Sequence, residues 1–149
     1  MRRIIYILLC TSILGISAFA QTAKSKVTAL PVGIAGWSGE YSDKLLTNAV
    51  IKTRLKKLLG STNYTAFMES FETLTPITKD GDVLFASGCL IHACTHLESA
   101  IAIDVKNNTI HAAMFDEEKP TLFFNERGRK APASIAAWAK NLEDMKASK

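Results

Sequence analysis

The sequence predicts an α+β domain: an antiparallel β-sheet of about four to five strands, helices packed on one face, and a disulfide-closed loop between two strands. Three observations predict it. Apolar residues recur at helical spacing between Ser42 and Phe71, alternate between Val83 and Phe124, and return to helical spacing after Pro132. The connections between strands are shorter than the roughly dozen residues a parallel crossover takes, so neighbouring strands run antiparallel. No internal repeat or low-complexity tract divides the chain.

Each element has a local reason. Pro31, Gly33, Gly36 and Gly39 interrupt residues 21–40, which read as an irregular lead-in docked through Trp37. Ser42-Asp43 can cap a helix whose face is Ile51, Leu55, Leu58 and Leu59, with Lys52, Arg54, Lys56 and Lys57 in water. Gly60 ends it. A second helix carries Tyr64, Phe67, Met68 and Phe71 and stops before Pro76. Asp80-Gly81 turns the chain into a strand at Val83-Leu84-Phe85-Ala86. Ile101, Ile103 and Val105 alternate with Ala100, Ala102 and Asp104, Lys106-Asn107-Asn108 makes a tight turn, and Thr109 to Phe115 returns as a hairpin partner. A further turn over Asp116 to Pro120 leads to a strand at Thr121 to Phe124. Pro132 opens a C-terminal helix with Ile135, Trp138, Ala139 and Leu142 on one face, fraying after Met145.

The N-terminus sets the compartment. Met1-Arg2-Arg3, an apolar run to Ile16 and Ala18-Phe19-Ala20 form a secretory signal, with cleavage expected after Ala20 and a periplasmic destination. The run is short for a span of about 20 apolar residues and lacks a basic stop-transfer stretch, so no membrane insertion is expected after cleavage. Residues 21–149 then form a single domain. Removal of Arg2 and Arg3 lowers the net charge from +4 to +2, which argues against nucleic acid as a partner. Removal of Cys10 leaves Cys89 and Cys94, and an even pair in an exported protein reads as a disulfide.

The segment Cys89-Leu90-Ile91-His92-Ala93-Cys94 is the candidate site, with His92 as its key residue and the only ionisable group in the ring. An exposed, pre-ordered imidazole donates from both nitrogens when protonated, which suits a pair of carboxylates. Other readings of the same residues compete. His92 can be a surface or cap residue bonded to nearby backbone. Cys89, His92, Cys94 and His96 are four potential metal ligands, but they are crowded into eight residues and oxidation removes two; no metal or other cofactor is expected. The spacing is not the C-x-x-C of thiol oxidoreductases. His111 reads as a packed strand residue, and Glu69 and Glu72 as the wet face of a helix. No catalytic residue is expected, because His92 has no nucleophile or carboxylate beside it in sequence.

The run Leu58-Leu59-Gly60, the Tyr64/Phe67/Phe71 helix, Pro76, Gly81 and the G-C-x-x-H-x-C loop at Gly88 to Cys94 together resemble the inhibitor of vertebrate lysozyme (Ivy) family. The resemblance implies an exported inhibitor whose loop enters the lysozyme cleft. His92 would engage the catalytic carboxylates, and Cys89 and Cys94 would hold the loop. It also implies a protein partner, a lysozyme or related muramidase, and not an enzyme. Strong inhibitors of the family carry Lys-Pro before the histidine and Asp after it, where this chain has Leu90, Ile91 and Ala93. Two alternatives therefore stand beside inhibition of lysozyme. One is control of the cell's own lytic transglycosylases. The other is a non-inhibitory assembly role on the same scaffold, for which the apolar Leu90-Ile91 pair is compatible with a homodimer.

Overall fold

A computed structural model describes residues 27–148; the expected secretory signal, with Cys10 and the cleavage position expected at Ala20, lies outside the described residues. The elements follow in the order α1 (Asp43–Thr47), α2 (Ala49–Glu69), β1 (Thr73–Leu74), β2 (Thr78–Asp80), β3 (Val83–Cys89), β4 (Leu97–Asp104), β5 (Thr109–Asp116), β6 (Leu122–Asn125) and α3 (Ala133–Ala147). The strands form one antiparallel sheet in the order β1-β3-β4-β5-β6, with β2 also pairing with β3. The α+β class and the antiparallel sheet stand as the sequence predicts.

The helices do not share one face. α2 packs Ile51, Leu55, Leu59 and Phe67 against Leu84, Ala86, Ile101, Ile103, Ile110 and Ala112. α3 lies on the opposite face, where Ile135 and Trp138 pack with Ala102, Ala113, Val83 and Phe85. The reason is in β4. Ala100, Ile101, Ala102 and Ile103 are all fully buried, so the alternation is of large and small residues rather than of dry and wet ones. The isoleucines meet α2, and the alanines leave room for α3 to approach the sheet.

The first helical stretch also differs from the prediction. Ser42 makes no capping bond with its side chain, and the chain breaks at Asn48, whose Oδ1 accepts from the amides of Val50 (3.1 Å) and Ile51 (3.3 Å) and so caps α2. Gly60 interrupts α2 with φ 74°, so two helical pieces abut there without an intervening loop. Arg54, expected in water, is 5% exposed. Its guanidinium forms an ion pair with Glu126 and donates to the carbonyls of Thr28 (3.0 Å) and Asn108 (2.9 Å) and to Asn108 Oδ1 (2.7 Å). With its donors so matched, the arginine ties α2 to the lead-in, to the β4–β5 turn and to the segment after β6. As predicted, the lead-in docks on the core: Ile34 is buried and Trp37 packs beside it.

Candidate functional site

The site grows from the junction of β3 and β4. β3 ends at Cys89, which pairs in register with Glu98 of β4, and the intervening residues form two successive turns. In the first, the amide of Ala93 donates to the carbonyl of Leu90 (2.9 Å); in the second, the amide of His96 donates to the carbonyl of Ala93 (3.0 Å). The third residue of each turn has a positive φ, His92 at 64° and Thr95 at 69°. A left-handed backbone costs an L-residue roughly 1–2 kcal/mol, and a β-branched threonine is among the least tolerant of it. The surrounding structure therefore has to hold both turns.

Covalent and polar contacts supply that hold. Cys89 and Cys94 are disulfide-bonded, with Cα atoms 5.0 Å apart, and close the first turn. Glu72 accepts from the amide of Ile91 (3.3 Å), and Glu98 accepts from the amide of Thr95 (2.8 Å). The amide of Glu117 donates to the carbonyl of His96 (2.9 Å), while the His96 ring lies against the Glu117 carboxylate. Glu117 stands in the β5–β6 turn, which is stiffened in turn by Asp116. The bond from Lys119 and the backbone bond from Glu118 outweigh burial and hold the Asp116 carboxyl below the ordinary carboxylate range.

At the tip, His92 is exposed, and among the described residues its ring has no partner. Ile91 beside it is 54% exposed. Leu90 turns the other way, into a groove of about 460 Å³ that it lines with Leu97, Met114 and Leu122. Gly88 admits the close crossing beneath the loop: a Cβ there would lie 2.4 Å from the Phe71 ring and 2.7 Å from the Thr73 carbonyl oxygen.

The sequence-predicted residues are thus contiguous, but they face different ways: His92 and Ile91 outward, Leu90 toward the groove, Cys89 into the sheet. His111 is buried between Thr109 and Asn125, with ring nitrogens 3.1 Å and 2.8 Å from their side-chain oxygens. Glu69 is exposed as expected, whereas Glu72 lies beyond α2 and braces the loop. Glu98 and Glu117 were not singled out in the sequence. Glu98 did leave a signal, an acid at the same alternating positions as Ala100 and Ala102, where a buried face would exclude it without partners. Among the described residues, no group of three or more His, Cys, Asp or Glu side chains is arranged to hold a metal, and no helix is long and apolar enough to cross a membrane.

No curated protein and no solved structure matches the chain. A family model does: that of the inhibitor of vertebrate lysozyme (Ivy), over residues 50–144. The match runs from the first turn of α2 through the whole sheet and the disulfide loop into α3. On that span, the chain belongs to the inhibitor of vertebrate lysozyme family.

Proposed function

We propose that this protein inhibits lysozyme-type muramidases by occlusion, its Cys89–Cys94 loop entering the sugar-binding cleft with His92 in contact with the catalytic carboxyl groups. The observation that carries the reading is the unpartnered, exposed imidazole at the tip of a loop fixed by a disulfide and three glutamates, in a chain of this family.

The chemistry follows from what such glycosidases require. They act through two carboxyl groups, one protonated and one ionised, about 5 Å apart in retaining enzymes. A protonated imidazole has two N–H donors on one rigid ring, so it can bond both groups and fix their charges while its loop excludes the sugar. Preorganisation makes this effective, since a tip already held in its bound shape loses little entropy on docking. Cys89 and Cys94 shape the loop, Ile91 adds an apolar contact at the cleft wall, and Ala93 leaves space beside the ring. The protein acts in the periplasm, after removal of its first twenty residues as a signal peptide.

Titration of the purified protein against a panel of lysozymes, read as the rate of cell-wall lysis, tests the proposal. The wild type slows lysis in proportion to its concentration, and His92→Ala removes most of that effect while circular dichroism stays unchanged. Equal inhibition by the two proteins would sink the mechanism. Including the cell's own lytic transglycosylases in the panel identifies which acid-dependent muramidase is the target.

One observation favours a second reading, a self-associating envelope protein without inhibitory activity. Ile91 is exposed on the loop, and Leu122 and Phe123, each 47% exposed, stand on edge strand β6. Native mass spectrometry that finds a dimer, together with no inhibition across the panel, would support it.

A further inference from the structure

We infer that Glu98 is a positioning residue for the inhibitory loop, holding Thr95 in its left-handed conformation and so setting the direction in which the His92 tip points. The inference builds on the inhibitor reading only for its second readout below.

Glu98 stands directly across from Cys89 in the β3–β4 register, under the base of the loop. Its two oxygens have separate tasks. Oε1 accepts from the Thr95 amide at 2.8 Å, and Oε2 accepts from the Trp138 indole N–H at 3.2 Å. Trp138 belongs to α3 and packs on the alanine-lined face of the sheet. The carboxylate is therefore located by a rigid aromatic group on one side and by its own strand on the other. It can accept the Thr95 amide only when the second turn is closed.

Thr95 needs such a restraint. It lies just outside the disulfide ring, which ends at Cys94, so the covalent bond does not fix its backbone. Its φ of 69° is one that a β-branched residue adopts only when its surroundings impose it. If the turn opened, the chain would leave Cys94 in a different direction and the ring would pivot about the β3 end. The charge-assisted bond from Glu98 opposes that pivot.

The test uses the full exported domain with Glu98→Ala, Glu98→Gln, Thr95→Asn and the double variant Glu98→Ala/Thr95→Asn. Asparagine tolerates positive φ, so it removes the need for the restraint without removing the side chain. The first readout requires no target: amide exchange at Thr95 and ¹⁵N relaxation over residues 91–95. Glu98→Ala raises exchange at Thr95 at least tenfold and lowers the backbone order of the loop. Glu98→Gln, which keeps an acceptor oxygen, remains close to wild type, and the double variant recovers most of the lost order. The second readout is inhibition, which weakens about tenfold in Glu98→Ala, mainly through faster dissociation, and recovers in the double variant. A loop as ordered in Glu98→Ala as in wild type, or a double variant no better than the single one, overturns the inference. If Glu98→Ala disorders the loop but no lysozyme is inhibited by any of the proteins, the positioning role stands and the inhibitor reading falls.

Discussion

Gly88→Ala is the substitution whose consequence can be worked most directly from the structure. A Cβ at position 88 would lie 2.4 Å from Phe71 Cδ1, 2.9 Å from Phe71 Cε1 and 2.7 Å from the Thr73 carbonyl oxygen. The ring cannot turn away freely, because Phe71 is 3% exposed and its ring packs 5.3 Å from that of Phe67. The carbonyl cannot move without shifting β1, whose only two ladder pairs are Thr73 with Cys89 and Leu74 with Gly88. Overpacking of this kind costs about 1–3 kcal/mol. For a domain of this size, that lowers the melting temperature by roughly 3–10 °C. The displacement also reaches the site, since Glu72 precedes β1 and holds the Ile91 amide. Thermal unfolding followed by circular dichroism, with lysozyme inhibition measured well below the transition, gives both numbers. Phe71→Leu added to Gly88→Ala should recover part of the stability, since only the ring contacts are relieved. An alanine variant with unchanged melting temperature and unchanged inhibition would refute the packing argument.

Three further outcomes are expected. Arg54→Met leaves Glu126, whose side chain is 12% exposed, without its partner; it should cost about 3–5 kcal/mol in urea unfolding, while Arg54→Met/Glu126→Leu should recover much of that loss because no unpaired charge remains. Replacement of both loop cysteines by alanine should cost only about 2 kcal/mol, since the ring is short, yet reduce inhibition of lysozyme far more than the melting shift would suggest. Asp104 supplies the pH prediction: burial raises its carboxyl, but the side-chain and backbone hydrogen bonds from Asn107 and the charge of Arg129 outweigh it, so its affinity for protons is lower folded than unfolded. Its contribution to stability is therefore present above the unfolded carboxylate range and is lost as pH falls through the folded value. Asp104→Asn should be less stable than wild type near pH 7 and converge with it near pH 2 by chemical unfolding.

Much of the fold was legible because periodicity reports burial. The Ile51/Leu55/Leu59 stripe and Tyr64, Phe67 and Met68 do form the helical cover, while Phe71 reaches the core from just beyond the end of α2; the Ile101/Ile103 alternation is a sheet strand, and Gly60 marks a break. Legibility failed where burial was not carried by large apolar side chains. Ala100 and Ala102 alternate with the isoleucines without marking a second buried face, which hid α3's place there. Arg54 passed for a solvated cation because its acceptors, Glu126, Asn108 and Thr28, are distant in sequence. β1 and β2, of two and three residues, were missed because they are too short to show a period. The disulfide could be read from the pair of cysteines, and the place of His92 within the ring from the sequence between them, but the glutamates that brace the loop could not. Glu72, Glu98 and Glu117 come from three different segments and meet only through the register of the sheet and the turns at its edge.

One exposed imidazole, presented by a stiff ring, is proposed to block a muramidase. The direct measurement is the concentration of this protein that halves lysozyme-driven lysis of cell walls, compared between wild type and His92→Ala at matched folded fraction. The wild type should block lysis in a dose-dependent way, and the alanine variant should be at least tenfold weaker. Superimposable curves for the two proteins would leave His92 without a part in inhibition.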